Sequence, residues 1–217
     1  MHIHLKPSRR ALTLAYAGVS AVFLSIVGLA DGHEGHSLAA STDPAQHAEA
    51  RSDDYKRSLR SYAAIPDVVL TDTEATPVRL RVLLASDDPV MLNFIFTTCS
   101  TICPVMTKVF SEVPARLGAD AKHLRMVSIS IDPENDTPAQ LRDYARKFEA
   151  GAHWKFLSGS VQDVIAVQRA FGSYNGDKMS HQPLTLLRAA PGKPWVRIDG
   201  FASADQLASE YRKLLLN

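Results

Sequence analysis

Val90-Met91-Leu92-Asn93-Phe94-Ile95-Phe96-Thr97-Thr98-Cys99-Ser100-Thr101-Ile102-Cys103-Pro104 is the stretch whose reading decides the fold. Val90 to Phe96 is an apolar run of strand length, and its continuity implies burial on both faces, as in the interior of a sheet with parallel neighbours. The chain's two cysteines follow directly, four residues apart. Pro104 suits a first helical turn, and Val105, Val109, Val113 and Leu117 keep helical spacing. The local order is therefore strand, cysteine turn, helix.

Downstream the same alternation continues. Leu124 to Ile131 reads as a second buried strand, and Asp136-Thr137-Pro138 caps a helix carrying Leu141, Tyr144, Ala145 and Phe148. Trp154 to Leu157 is short and extended. Ser160-x-x-Asp163 opens a helix that runs to Phe171, Leu184 to Leu187 and Val196 to Ile198 read as adjacent strands, and Ser203-x-x-Gln206 opens a final helix through Leu207, Tyr211 and Leu214. Upstream, Val68-Val69-Leu70 begins a strand after Ile65-Pro66-Asp67, while Tyr55, Leu59 and Tyr62 recur at helical spacing. Alternating strands and helices with a late strand pair and a closing helix make an α/β domain: a central mixed sheet with helices on both faces, in a thioredoxin-like arrangement.

The amino-terminal part differs. Lys6, Arg9 and Arg10 precede Ala11 to Ala30, a stretch without one charge. It is long enough to cross a hydrocarbon core, which takes ~20 apolar residues in a helix; Gly28 and Ala30 also supply the small-x-small pattern of a cleavage site. Residues 1–30 are thus a signal anchor or a signal peptide, and either places the remainder outside the cytoplasm: anchored to an inner membrane with the domain in the periplasm, or exported and soluble there. Residues 31–52, rich in Ala, Ser, His and acidic side chains, read as a linker, and 53–217 as the folded domain. His33, His36 and His47 lie in the linker, where their simplest role is solvation.

Composition narrows the function. Hydrophobic residues at 46% and charged residues at 22% describe a globular protein. A net charge of +1, with no cluster of Lys and Arg interleaved with aromatics, excludes a nucleic-acid binder.

Residues i and i+4 on a helical turn lie ~6 Å apart, close enough for a disulfide or for two thiolates to converge on a soft metal ion. A structural disulfide is the plain reading for an exported protein. A loop this short removes little unfolded-chain entropy, however, and makes a poor staple. The helix beginning near Cys103 turns amides and a positive dipole end toward the thiols, which favours thiolates, and thiolates are both nucleophiles and ligands for Cu(I). His181, in the polar loop before Leu184, is on spacing alone an ordinary solvated histidine. Met106, one helical turn after Cys103, reads as core packing.

From Tyr55 to Leu215 the sequence resembles the SCO/SenC family of copper-binding respiratory-oxidase assembly proteins. Phe94 to Pro104 is similar to that family's strand followed by C-x-x-x-C-P, and Ser128-Ile129-Ser130-Ile131-Asp132-Pro133-Glu134-Asn135-Asp136-Thr137-Pro138 resembles its second signature. The resemblance implies a thioredoxin fold with additional strands near its start, and copper, Cu(I) or Cu(II), held by Cys99, Cys103 and His181. It implies delivery to the copper-A subunit of a haem-copper oxidase, with another copper chaperone or a thiol reductant as further partner and the amino-terminal helix as membrane contact. Asp132-Pro133 reads as a turn, and Asp136 or Thr137 as a helix cap. Two features depart from the family: Ser100-Thr101-Ile102 stands between the cysteines, where the family commonly has Asp or Pro, and Met179-Ser180 precedes the histidine, where it usually has Asp. His181-Gln182-Pro183 before a strand also admits a cis Pro183.

Two functions use the same residues. A metallochaperone needs both sulfurs and the imidazole; a thiol-disulfide reductase needs Cys99 and Cys103 alone, one as nucleophile and one as resolving thiol. A peroxidase of the peroxiredoxin kind would need an activating Arg in the cysteine loop, and there is none.

Overall fold

The structure, a computed structural model, describes residues 55–216. The leader, the linker and its histidines His33, His36 and His47 lie outside the described residues. The elements in chain order are β1 (Tyr55–Arg60), β2 (Val69–Asp72), β3 (Pro77–Arg79), α1 (Leu80–Leu84), β4 (Val90–Ile95), α2 (Ile102–Leu117), β5 (Arg125–Ser130), α3 (Pro138–Lys147), β6 (Trp154–Ser158), α4 (Val161–Ala170), β7 (Leu184–Arg188), β8 (Trp195–Gly200) and α5 (Ala204–Leu215). The strands form one mixed sheet of eight, ordered β1-β8-β7-β4-β5-β6-β2-β3.

β4 and β5 lie at the centre and pair in parallel, Phe94 opposite Ile129, while β7 runs antiparallel on the other side of β4. All six residues of β4 are buried, as its unbroken apolar run requires. The pleat divides them. Asn93 shares a face with Ser128 and Phe156, and that face meets α2 and α3: the Phe110 ring stands 5.9 Å from Trp154, and Tyr144 stands 6.2 Å from Phe156. The opposite face carries Phe94, whose ring lies 6.1 Å from Phe171 at the end of α4, with Trp195 of β8 beyond it at 5.5 Å from Phe171. Helices therefore cover both faces. Each such fully buried aromatic contributes ~1.5–3 kcal/mol by leaving water. Polar groups within the sheet are paired across strands: Ser128 Oγ donates to Asn93 Oδ1 at 2.6 Å and accepts from Trp154 Nε1 at 2.9 Å.

Helix starts follow the capping residues in the sequence. Thr137 and Gln140 form a reciprocal capping box with Pro138 in the first turn, Ser203 and Gln206 form another, and Ser160 accepts from the Asp163 amide. Thr137, not Asp136, is the α3 cap. The closing end of α2 needs a glycine, since Gly118 takes φ +60 there.

Three expectations are corrected. Tyr55 to Arg60 is not helical but an edge strand paired antiparallel with β8, Tyr55 opposite Gly200. Tyr55 and Leu59 lie four apart, a spacing that places two residues on one face of a strand as well as of a helix, and Tyr62 lies beyond the strand. On α2 the buried stripe is Cys103, Met106, Thr107, Phe110, Val113 and Leu117, whereas Val105 is exposed. Among the described residues no peptide bond is cis, so the bond before Pro183 is trans. Additional strands near the start are present as β1 to β3, and α1 is a short helix that the apolar pattern did not reveal.

Replacing Thr137 by Ala removes one half of a capping box and should lower stability by about 1 kcal/mol, while Thr137→Ser should retain most of it. Urea unfolding would read this as a lower midpoint at unchanged slope; equal midpoints for the Ala and parent proteins would refute the role assigned to the box.

Candidate metal centre

β4 ends inside the molecule and delivers the chain to the cysteine turn. Cys99 N–H donates to the Phe96 carbonyl at 3.2 Å, closing the turn, and Thr101 stands at the cap position just before α2. The first-turn amide of Cys103 donates to Cys99 Sγ at 3.4 Å, as expected of a helix amino terminus facing a sulfur. Cys99 Sγ also lies 3.7 Å from Thr101 Oγ1, and both cysteines are free thiols.

The two sulfurs are not equivalent. Cys99 is 8% exposed and Cys103 fully buried. Burial pushes the Cys99 thiol up, but the amides of Cys103 and Thr101, with the side chains of the same residues, more than offset this and hold it below its ordinary value. Cys103 is pushed well up, first by burial, then by Cys99 and the Asp136 carboxylate, against a smaller lowering by the Phe96 backbone. Beneath it, Thr107 donates to the Cys103 carbonyl at 2.7 Å and shares a hydrogen bond of 2.9 Å with the Tyr144 hydroxyl, joining α2 to α3.

Asp136 fastens this turn to the sheet. Its buried carboxylate accepts from the Thr97 amide at 3.2 Å, the Thr97 hydroxyl at 2.5 Å and the Ser130 hydroxyl at 2.6 Å. Burial raises the Asp136 carboxyl, and these donors counter part of that rise. Asp132 does form a turn: its carbonyl accepts from the amides of Asn135 and Asp136. Its buried carboxylate binds Lys178 Nζ at 2.6 Å, which ties the second signature to the segment bearing His181. Lys178 also stands over the Phe96 ring, 5.8 Å from its centre.

His181 is 6% exposed rather than solvated. Its Nε2 lies 3.1 Å from the Phe94 carbonyl oxygen; a carbonyl can only accept, so Nε2 carries the proton and Nδ1 the lone pair. Burial, opposed by that hydrogen bond, lowers its pKa, so the ring is neutral at neutral pH. A neutral imidazole whose second nitrogen donates to a backbone carbonyl is the usual state of a metal-ligating histidine. The Phe94 carbonyl thus supplies the orienting contact that no acidic neighbour supplies in the sequence. The structure brings Cys99 and Cys103 together, but among the described residues no three His, Cys, Asp or Glu side chains form a group that could hold a metal ion. His181 instead borders a groove of about 490 Å³ with Asp132, Gln168 and Lys178. Met106, 5% exposed, is core packing. Two thiols brought together in one turn are donors of the soft kind that Cu(I) prefers.

The asymmetry of the sulfurs has a chemical readout. Iodoacetamide should alkylate Cys99 well before Cys103 in the folded, reduced protein, with a rate whose pH midpoint lies below the ordinary thiol value of 9.0. Peptide mass mapping against pH would show it, and equal labelling of both cysteines would contradict the assignment.

The comparisons with known proteins agree with this architecture. The SCO1/SenC family model matches residues 61–216. An SCO1 protein homolog of Bacillus subtilis is 41% identical over 76 residues, 35% of this chain and 39% of that protein. The chain spans between 39% and 54% of the length of the first curated relatives it matches. Among solved structures, Bradyrhizobium japonicum ScoI with copper bound aligns at TM-score 0.55 and 26% identity, over 68% of this chain and 96% of that one. BsSco, a member of the Sco family of cytochrome c oxidase assembly proteins in which a disulfide switch was identified, aligns at TM-score 0.59 and 28% identity, over 69% and 92%. The fold is the thioredoxin-like fold of these Sco structures, and the chain belongs to the SCO1/SenC family.

Proposed function

We propose that the protein is a copper metallochaperone: Cys99 and Cys103 bind copper as thiolates, His181 completes the site, and the ion is delivered to the copper-A centre of a haem-copper oxidase. The observation that carries this reading is the pair of free thiols following β4, with His181 fixed on the carbonyl of Phe94 in that strand. Cys103 N–H faces Cys99 Sγ, and His181 is neutral with its Nε2 proton committed to Phe94, leaving a lone pair on Nδ1. Soft sulfur selects Cu(I), and imidazole makes the set compatible with Cu(II) as well. Copper is the cargo, and loading draws His181 and the sulfurs into one set. Similarity to ScoI with copper bound supports the choice of ion.

The partner is the copper-A subunit of the oxidase, with a second copper chaperone or a thiol reductant supplying copper or electrons. The amino-terminal apolar segment tethers the chain to the inner membrane, or has directed its export, so that the domain works in the periplasm. Among the described residues no helix is long and apolar enough to cross a membrane.

A second reading, a thiol-disulfide reductase that prepares the target's cysteines, is favoured by the unequal sulfurs. The Cys99 thiolate would attack a target disulfide, forming a mixed disulfide and releasing one target thiolate. Cys103, losing its proton, would then attack Cys99 Sγ, releasing the second and leaving Cys99 and Cys103 oxidised. The disulfide switch described for BsSco is consistent with such redox chemistry.

Anaerobic copper titration of the reduced protein separates the readings. Cys99→Ser or Cys103→Ser should abolish tight Cu(I) binding, because a hydroxyl is a hard, weak donor. His181→Ala should weaken Cu(II) by more than the ~10–100-fold that loss of a ligand's hydrogen-bond partner costs, and Cu(I) less, since two sulfurs can hold it alone. Thiol exchange should survive in that variant. If His181→Ala held both ions as firmly as the parent, the three-ligand chaperone site would be wrong and the reductase would stand.

A further inference from the structure

Asp31-Gly32-His33-Glu34-Gly35-His36 directly follows the charge-free stretch Ala11 to Ala30, whose last residues, Gly28-Leu29-Ala30, carry the small-x-small pattern behind which a leader peptidase cuts. A cut there makes Asp31 the first residue and His33 the third. A histidine at the third position has a chemistry of its own. The amine of the first residue, the backbone nitrogens of the second and third, and the histidine Nδ1 close two five-membered chelate rings and one six-membered ring around a single ion. Four nitrogens in a square plane are the geometry of Cu(II) or Ni(II). Gly32 suits the second position, because it has an N–H to give up where proline would have none. His36 and His47 lie too far along to close the last ring. These donors all come from one tripeptide, so the site needs no packed fold to assemble it.

The domain receives this segment at the end of the sheet that carries the cysteines and His181. β1 runs antiparallel to β8 and starts with Tyr55 opposite Gly200. Gly200 N–H donates to the Pro183 carbonyl at 3.0 Å, and Pro183 follows His181 by two positions. Two strand spacings, ~10 Å, therefore separate the Tyr55 backbone from the chain that enters β7. The last residues of β4, which lead to Cys99, lie along the same end, since Asn93 is opposite Thr185 near the start of β7. Arg60, opposite Trp195, marks the far end of β1. Were β1 reversed, the chain before it would join the sheet there, away from the sulfurs. Residues 34–54 span at most ~70 Å, at ~3.3 Å per residue.

We propose that removal of the leader after Ala30 turns Asp31-Gly32-His33 into a Cu(II) site, and that this site loads copper onto Cys99, Cys103 and His181 of the same chain. The inference rests on the chaperone reading for the destination of the ion and adds to it a second metal site and a point of entry. Cu(II) binds at the terminus as the Asp31 amine and the Gly32 and His33 amides lose their protons. It leaves by ligand exchange in the same oxidation state, so no electron donor is required. Cys99 and Cys103 release two thiol protons as they take the ion. The two amides regain protons in equal number, and the amine takes its own from solvent. A square-planar ion is open above and below its plane, so an incoming thiolate binds before the chain nitrogens let go. The tether makes this transfer intramolecular and raises the effective concentration of the ion at the sulfurs.

The test uses the full chain, produced with its leader in a bacterium that exports it and extracted with detergent, so that anchored and cleaved forms are both recovered. The intact mass should be that of a chain beginning at Asp31. In a background carrying Cys99→Ser and Cys103→Ser, one equivalent of Cu(II), supplied as its glycine complex, should give the violet d–d absorption and the four-nitrogen paramagnetic resonance pattern of a square-planar site. His33→Ala should lose both signals, whereas His36→Ala and His47→Ala should keep them. In the reduced protein with its cysteines intact, the violet band should appear first and decay into thiolate-to-Cu(II) absorption at a rate independent of protein concentration. His33→Ala should skip the first phase and gain the thiolate absorption several-fold more slowly. A chain that retains residues 1–30, or a His33→Ala titration that matches its parent, would overturn the amino-terminal site. Thiolate loading at equal rates with and without His33 would overturn the relay. If the violet band formed and thiolate absorption never followed, the chaperone reading would fall and the relay with it, while the amino-terminal Cu(II) site would stand.

Discussion

The geometry of the site depends on one buried carboxylate. Asp136 accepts from the Thr97 amide and hydroxyl and from the Ser130 hydroxyl, which ties the chain leaving β4 to the chain leaving β5. Without that acceptor, three donors would lose their partner, two of them on the residue that begins the cysteine turn, at about 1–3 kcal/mol for each one left unsatisfied. Its charge adds to the burial that pushes Cys103 up, while the amides of Cys103 and Thr101 favour the Cys99 thiolate. One interaction thus fastens the cysteine turn to the sheet, and burial and backbone amides decide which sulfur reacts first.

A second tie completes the frame. The Asp132 carboxylate, four residues before Asp136, binds Lys178 and so holds the segment bearing His181 against the turn after β5. Both sulfurs and the imidazole are therefore positioned from one short loop, Asp132 to Asp136, although they belong to separate parts of the chain. The His181 ring in turn donates its proton to the carbonyl of Phe94, on the strand that leads into the cysteine turn.

The sequence carried the central sheet because buried strands and capped helices leave local marks: the unbroken run of β4, the Thr137 and Ser203 boxes, and Ser160 with Asp163 are all readable within a few residues. It misled at Tyr55 to Arg60, where a four-residue spacing fits strand and helix alike and only pairing with β8 decides. α1 was invisible because five residues make too short a pattern. The family's motifs pointed to the cysteines and His181 as candidate ligands, and the structure brings the two cysteines together. The contacts that orient them were not. A backbone carbonyl has no letter in the sequence, so the Phe94 contact to His181 leaves no trace, and the Lys178–Asp132 pair joins residues 46 apart. Asp136 was visible as an acidic residue before a helix, which fits a cap; only the fold reveals that it faces Thr97 and Ser130 instead.

In the proposed site copper is held by two sulfurs from one turn and one imidazole from a separate segment. X-ray absorption at the copper edge, on the reduced protein loaded anaerobically with one equivalent of Cu(I), tests this most directly. Copper should show two sulfur neighbours and one nitrogen whose outer-shell scattering is that of an imidazole and disappears in His181→Ala. A first shell with fewer than two sulfurs, or a spectrum identical in the parent and His181→Ala proteins, would contradict it.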